Sequence, residues 1–136
     1  MRIAVVGMGK IGLPLAVHYA RRGHSVVGVD VNPQTVALIN GGEEPFPGEA
    51  HLAEYLPPLI SSGALRATTE YAEAIPGADA VVMVVPLVVD AESRPDFTIM
   101  DAATRSMAAH LTAGTLVSYE TTLPVGTTRG RYKPLI

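Results

Sequence analysis

Short apolar runs alternate with longer amphipathic segments along the whole chain. The runs have the length of strands and predict five of them, at residues 3–6, 25–30, 65–68, 80–85 and 115–119. Several runs are apolar at nearly every position, which is typical of parallel strands covered by helices on both faces. The pattern therefore predicts an α/β fold with a doubly wound parallel sheet, five strands in the order 3-2-1-4-5, and helices on both faces.

Start and stop signals mark the helices that follow the first two strands. Gly12, Ala16 and Ala20 recur at a spacing of four, so one face of the first helix lacks bulk and can lie close on the sheet. Asn32 and Pro33 are typical of an N-cap and a first helical residue. They predict the start of the second helix.

Two later segments carry less direct signals. Thr98 and Asp101 have the spacing of a capping box and predict the start of a helix before the fifth strand. Residues 41–63 predict a loop and then a helix, which Pro57 and Pro58 are expected to interrupt.

The composition indicates one folded domain. Of 136 residues, 48% are hydrophobic and 17% charged, which excludes a disordered chain, and no apolar stretch reaches the roughly 18 residues of a membrane span. The N-terminus lacks the apolar segment of a signal peptide, so we expect a cytoplasmic protein. The net charge of −3 gives no general attraction for nucleic acid. The absence of cysteine excludes a cysteine nucleophile, and the four histidines lack metal-ligand spacing, so no metal is expected.

A glycine-rich loop, GMGKIG, joins the first strand to the first helix. The first turn of a helix offers unpaired N–H groups to a pyrophosphate. In this motif Gly7 permits the turn out of the strand, Gly9 permits close approach of the phosphates, and Gly12 lets the helix pack on the strand. The loop therefore predicts a dinucleotide site, with Lys10 either contacting a phosphate or remaining solvated.

Asp30 ends the second predicted strand, 18 residues after Gly12. A carboxylate at this place accepts both ribose hydroxyls of NAD and repels the 2′-phosphate of NADP, and no Arg or Lys follows it closely. The competing interpretation is a glycine turn that only tightens a βα unit, with Asp30 capping the next helix.

Ligands of a doubly wound sheet lie beyond the carboxyl ends of its strands. The fourth strand is followed by VVPLVVD, and the fifth by YETTLPVGTT, which is rich in hydroxyl groups and carries Glu120 at the strand end. Functional positions are expected in both stretches.

Several of these stretches together resemble one family. They are GMGKIGLPLA, the strand end at Asp30, GADAVVMVVP, PDFTIMDAATRSMA and above all ETTLPVGTT. In this order they are similar to the N-terminal NAD-binding domain of the UDP-sugar 6-dehydrogenases, which include UDP-glucose and UDP-N-acetylmannosamine dehydrogenases. The resemblance covers essentially the whole chain and implies that residues 1–136 form a Rossmann-type NAD-binding domain, closer to the N-acetylated-sugar branch.

The resemblance also implies a chemistry and a set of site residues. The family oxidises the C6 alcohol of a nucleotide sugar to a carboxylate in two steps, with two NAD. Thr122 matches the threonine that helps to position water and substrate, which implies a catalytic role, and Glu49 matches a family glutamate with a structural role. The cofactor-binding residues implied by the loop, the strand ends and the family motif are Gly7, Met8, Gly9, Lys10, Ile11, Gly12, Asp30, Val31, Val85, Pro86, Leu87 and Thr121.

The chain departs from the family pattern at several places. Leu87 and Val88 stand where the family usually has Thr-Pro, and Thr35 stands where an Arg or Lys is common. The family's nucleophilic cysteine, catalytic lysine and UDP-binding domain lie beyond the matched stretch. The chain by itself is therefore expected to bind NAD without turnover, and a UDP-sugar and a homo-oligomer are the further partners expected of the whole protein.

Two other functions are compatible with a glycine-loop domain of this size. The first domain of a β-hydroxyacid dehydrogenase shares the GMGxxG opening, but it does not normally show the 41–63 insertion or LPVGTT. A free-standing nucleotide-sensing module that regulates potassium channels would have this length, but its function does not require the motif ETTLPVGTT. Tighter binding of ATP or ADP than of NAD would favour the sensor.

Overall fold

The computed structural model describes all 136 residues and contains a five-stranded parallel sheet and a separate hairpin. In chain order the strands are β1 (Arg2–Val6), β2 (Ser25–Val29), β3 (Leu65–Thr68), β4 (Ala80–Met83), β5 (Val88–Val89), β6 (Pro95–Asp96) and β7 (Leu116–Tyr119). The sheet order is β3-β2-β1-β4-β7, and β5 pairs antiparallel with β6. The predicted α/β fold and strand order are confirmed, because β7 is the fifth strand of the sheet. The hairpin was not predicted.

Helices cover both faces of the sheet, as expected. They are α1 (Gly12–Arg21), α2 (Pro33–Asn40), α3 (Leu52–Ser61), α4 (Tyr71–Ala74) and α5 (Thr98–Ala108), followed by a π-helical turn (Thr128–Tyr132) and a 3-10 turn (Lys133–Leu135) that we call the C-terminal helical segment. The helices α1, α2 and α3 pack on one face, and α4, α5 and the C-terminal helical segment pack on the other. None of the helices is long and apolar enough to cross a membrane.

Two apolar cores lie on either side of the strands, because successive strand residues point to opposite faces. Val5 belongs to the core under α1, while its neighbours Ala4 and Val6 belong to the core under α4 and α5. Met100 and Met107 are fully buried in the second core, so these methionines are core residues rather than cofactor contacts. The strands β1, β2 and β4 are therefore buried on both faces, as their unbroken apolar runs predicted, whereas the edge strand β7 is only partly buried.

The outer edge of β3 is closed by a side chain. Asn40, the last residue of α2, donates from Nδ2 to the Ala67 carbonyl at 2.9 Å and accepts the Ala67 N–H at Oδ1 at 2.8 Å. The Asn40 amide thus makes the pair of hydrogen bonds that a further strand would make.

The helix α3 continues through Pro57 and Pro58, so the predicted interruption is wrong. Each proline lacks the N–H that would donate to a carbonyl four residues back, at Ala53 and Glu54. Both of those residues are exposed, so water can satisfy their carbonyls. On the opposite face Leu56 is fully buried, and its packing holds the helix on the core.

The capping-box prediction at the start of α5 is also wrong. The Thr98 N–H donates to the Asp96 carboxylate at 2.9 Å, so Asp96 caps this helix. Asp101 is buried and pairs with Arg131 instead. By contrast, the predicted N-cap of α2 is confirmed, because Asn32 accepts the N–H of Gln34 at 3.0 Å.

Candidate functional site

The carboxyl ends of β2, β1, β4 and β7 lie side by side at one edge of the sheet and carry the candidate site. The loop after β1 turns directly into α1 at this edge. The Gly7 N–H donates to the Val29 carbonyl at 2.8 Å, and the Leu13 N–H donates to the Gly9 carbonyl at 3.0 Å. The first bond ties the loop to β2 and the second starts the helix, so the loop is fixed at both ends.

The backbone amides of Gly9, Lys10, Ile11 and Gly12 donate to no acceptor within the protein. These four consecutive groups lie at the N-terminus of α1, where the helix dipole adds positive potential. Gly9, Lys10 and Ile11 are exposed, whereas Gly12 is buried where the helix begins. The arrangement is a cradle for an anion, and a pyrophosphate is a ligand of that charge.

The three glycines of the loop differ in what an added side chain would meet. A Cβ on Gly12 would overlap the Gly7 carbonyl oxygen, and Gly7 itself has a φ of +95°, which side chains rarely adopt. A Cβ on Gly9 would meet nothing within 4 Å. Nothing inside the protein requires glycine at position 9, so its missing side chain leaves room for a ligand against the amides. This observation fits NAD at the loop.

Met8 and Gly28 form a pair that sequence reasoning missed. The Met8 side chain is fully buried and lies over the bare α-carbon of Gly28, where a Cβ would collide with its sulfur. The Met8 N–H donates to Asp30, so its amide is already used within the protein. A cofactor contact by Met8 stays a prediction.

The Asp30 carboxylate joins two segments of the site. Its Oδ2 accepts the Met8 N–H and its Oδ1 accepts the Asn32 N–H, both at 2.9 Å. Each carboxylate oxygen can accept more than one hydrogen bond, so both can also accept from ribose hydroxyls. Val31 is 84% exposed at the same strand end.

Tyr71, at the start of α4, lies within electrostatic reach of this carboxylate. Burial raises the pKa of Tyr71, and the negative charge of Asp30 raises it further. Tyr71 therefore stays a neutral phenol at physiological pH beside the adenosine side of the predicted site.

The end of β4 is joined to the loop after β7. The Thr121 hydroxyl donates to the Val85 carbonyl at 2.8 Å, and Val85 is buried. Pro86 is exposed and Leu87 is half-buried beside it. Thr122 is exposed and makes no hydrogen bond within the protein, so its hydroxyl is accessible. The structure therefore brings the predicted residues of the three loops to one edge.

Glu120 follows β7 directly and also belongs to this edge. Its N–H donates to the Met83 carbonyl at 2.9 Å, and its carboxylate accepts the Ser118 hydroxyl at 2.6 Å. The side chain is exposed. No cation pairs with it, unlike the carboxylates of the hairpin and of α5.

The C-terminal helical segment is held on α5 by an ion pair. The Arg131 guanidinium donates to both oxygens of Asp101, at 2.8 and 2.7 Å, and lies over the Phe97 ring at 4.3 Å. Tyr132 is fully buried and stacks on Tyr119 with the ring centroids 4.5 Å apart. These contacts fix the far end of the loop that carries Thr121 and Thr122.

The ion pair predicts a pH-dependent stability. The hydrogen bonds from Arg131 hold the pKa of Asp101 below its usual value, so their stabilisation is present at neutral pH and is lost as the pH falls below about 4. Replacing Asp101 by asparagine is expected to lower the midpoint of thermal unfolding by about 5 °C at pH 7. The difference from the unchanged protein should shrink progressively as the pH is lowered from 7 to 3, as calorimetry at several pH values would measure.

Glu73 provides the control for this prediction, since it pairs with Arg66 through two exposed side chains. Its replacement by glutamine should shift the midpoint by about 1 °C or less. An equal shift for the two variants would contradict the assignment of Asp101 as the structural partner.

Comparison with known proteins agrees with this geometry. Residues 1–136 match the model of the UDP-glucose/GDP-mannose dehydrogenase family, NAD binding domain. UDP-N-acetyl-D-mannosamine dehydrogenase of Escherichia coli (strain K12) is 41% identical over 126 residues, which are 93% of this chain and 29% of that relative. NDP-N-acetyl-D-galactosaminuronic acid dehydrogenase of Ralstonia nicotianae is also 41% identical, over the same shares of the two chains.

A solved structure gives the same result for the fold. UDP-D-ManNAc dehydrogenase from Pyrococcus horikoshii superposes with a TM-score of 0.91 at 33% identity, over 99% of this chain and 32% of that chain. The chain thus spans about a third of the length of the relatives that it matches.

Proposed function

The chain belongs to the UDP-glucose/GDP-mannose dehydrogenase family through that family's NAD-binding domain, and from this membership we propose that it forms the cofactor-binding part of a UDP-sugar 6-dehydrogenase. NAD is the cofactor of the domain. The observation that carries the assignment of the site is the row of four free amides at residues 9–12, with Asp30 at the end of the neighbouring strand.

We assign the following roles to the residues at the edge of the sheet. The amides of Gly9, Lys10, Ile11 and Gly12 bind the pyrophosphate, and Asp30 accepts the hydroxyls of the adenosine ribose. Bound NAD supplies a hydride acceptor. Val31 and Met8 line the adenosine half of the cofactor. The ends of β4 and β7 line the nicotinamide half, with the residues Val85, Pro86, Leu87 and Thr121.

Thr122 is the residue of this chain that we place beside the reacting atoms. Its hydroxyl is exposed and has no partner within the protein, so it can donate to or accept from a substrate hydroxyl or a water molecule. The chain contains no cysteine. We therefore assign to it the binding of NAD and the orientation of water and substrate, and not the formation of a covalent substrate intermediate.

The proposed substrate is a UDP-sugar with an N-acetyl group, whose C6 alcohol becomes a carboxylate. The conversion transfers two hydrides to two molecules of NAD and takes one oxygen from water. Two relatives at 41% identity are named for N-acetylated sugars, which supports this choice over UDP-glucose. We also propose, from the sequence, that the whole protein is cytoplasmic and forms a homo-oligomer.

Asp30 provides the test of the adenosine half. Replacing Asp30 by alanine removes an acceptor for two ribose hydroxyls and for the N–H groups of Met8 and Asn32, so NAD affinity is expected to fall by about 50-fold. Asparagine keeps one acceptor oxygen and the shape, and it should cost about tenfold while weakening the discrimination against NADP. Isothermal titration with NAD and NADP measures both effects.

The same titration separates the proposed function from a nucleotide-sensing module. The dehydrogenase assignment predicts that the unchanged chain binds NAD more tightly than ATP or ADP. Tighter binding of ATP or ADP would indicate a nucleotide sensor. If the alanine variant at position 30 bound NAD as firmly as the unchanged chain, the cofactor would lie elsewhere.

A further inference from the structure

Glu120 lies at the end of the site farthest from the adenosine position. The sheet order places β2, β1, β4 and β7 in a row, so the strand end that carries Glu120 is three strand spacings, roughly 14 Å, from the one that carries Asp30. If Asp30 binds the adenosine ribose and the loop after β1 binds the pyrophosphate, the nicotinamide half extends toward β4 and β7. Glu120 is then the carboxylate beside the nicotinamide.

The carboxylate of Glu120 points to the face of the sheet on which α1 begins. Ser118 pairs in register with Val82, which belongs to the core under α1. Neighbouring residues of parallel strands share a face, so the Ser118 hydroxyl lies on the α1 side as well. The hydrogen bond of 2.6 Å from Ser118 holds the Glu120 carboxylate on that side. Tyr119, between them, points to the opposite face and stacks there on Tyr132.

No cation of the protein neutralises this carboxylate. Arg131 is engaged by Asp101, and Arg94 pairs with carboxylates of its own hairpin. Arg129 belongs to the C-terminal helical segment, which packs on the opposite face from Ser118. Lys10 lies in the loop assigned to the pyrophosphate. The pyrophosphate has the same charge in NAD and in NADH, so Lys10 does not discriminate between them.

We propose that Glu120 makes this domain bind oxidised NAD in preference to NADH, an inference that rests on the proposed NAD site. The nicotinamide ring carries a positive charge when it is oxidised and none after it has accepted a hydride, while the rest of the molecule is unchanged. A carboxylate held beside the ring therefore attracts only the oxidised form. For a partly solvated pair of charges, Coulomb's law gives a preference of about three- to tenfold.

This preference serves a reaction that uses two molecules of NAD for each sugar. NADH has to leave after the first oxidation so that a second NAD can enter. A site that binds the reduced form more weakly favours that exchange. Ser118 acts as a positioning residue, because its hydroxyl fixes the carboxylate through a single hydrogen bond.

The test compares the dissociation constants of NAD and NADH for the chain and for three variants, by isothermal titration at low salt. Glu120→Gln should lose the three- to tenfold preference, and Glu120→Lys should reverse it. Glu70→Gln is the matched control: Glu70 also follows a strand and accepts a hydroxyl, from Thr69 at 3.0 Å, but it lies at the β3 end of the sheet. The control should keep the preference of the unchanged chain, because the two forms of the cofactor share the same adenosine half.

Salt provides a second readout. The preference should shrink between about 0.01 M and 1 M salt, where the screening length falls from about 30 to 3 Å. An unchanged ratio of the two constants in Glu120→Gln and Glu120→Lys would overturn the assignment of Glu120. Failure of the unchanged chain to bind either form would instead overturn the proposed NAD site, so the two failures are distinguishable.

Discussion

Replacing Gly12 by alanine is expected to remove a large part of the stability of the fold. The added Cβ would overlap the Gly7 carbonyl oxygen, which is held in place by the tie between the loop and β2. Backbone cannot move aside as the end of a flexible side chain can, so α1 would have to shift away from β1. We expect a loss of about 3 kcal/mol or more, which is a large part of the stability of a domain of this size. Urea denaturation followed by circular dichroism measures it.

Gly130 is the matched control for this substitution, since a Cβ there meets nothing within 4 Å and its φ is ordinary. Alanine at position 130 should change the free energy of unfolding by less than about 1 kcal/mol. Equal midpoints for the two variants would mean that α1 tolerates a side chain at its closest approach to the loop, and the role assigned to Gly12 would be wrong.

Replacing Gly9 by alanine is expected to produce the opposite result, with the fold intact and NAD binding lost. The new methyl group would meet no protein atom. On the proposed binding mode it takes up space that the pyrophosphate needs beside the amides of residues 9–12. Displacing the pyrophosphate from two charge-assisted hydrogen bonds lowers the affinity by about 100-fold. Titration with NAD measures the loss, and thermal unfolding shows whether the midpoint is unchanged.

Gly23 is the control for Gly9, because its replacement should lower stability and leave NAD binding unchanged. It follows α1 with a φ of +86° and open space around it, far from the loop. Alanine there should cost about 1 kcal/mol of stability through backbone strain and leave NAD affinity as it was. A Gly9→Ala protein with the NAD affinity of the unchanged chain would place the pyrophosphate outside the cradle.

The fold could be predicted from the sequence because its signals are local. Unbroken apolar runs indicated the buried strands, and Asn32 with Pro33 indicated the start of α2. The two wrong predictions come from contacts that no local pattern records. Asp101 has the spacing of a capping residue, but its partner Arg131 lies 30 residues further along the chain. The helix α3 tolerates Pro57 because packing on its other face outweighs the lost hydrogen bond.

The sequence also predicted where the loop and the strand end of the candidate site lie, but not the contacts between neighbouring strands. The spacing of glycines and the position of Asp30 suffice to place the loop and the strand end, since strand, turn and helix follow one another directly. Two features depend on the register between strands and could not be read from the chain: Met8 over Gly28, and Thr121 bound to Val85. Glycine within an apolar strand was the one signal that could have indicated a close neighbour at Gly28.

The side chain of Asn40 determines the direction in which this sheet can be extended. Because it occupies both hydrogen-bonding groups of Ala67, an incoming strand on that flank would first have to displace it. At the opposite edge of the sheet, no side chain makes such a pair of hydrogen bonds to β7, and Leu116 of this strand is 63% exposed. We therefore expect an added strand to pair at the β7 flank, which is the one nearest Glu120.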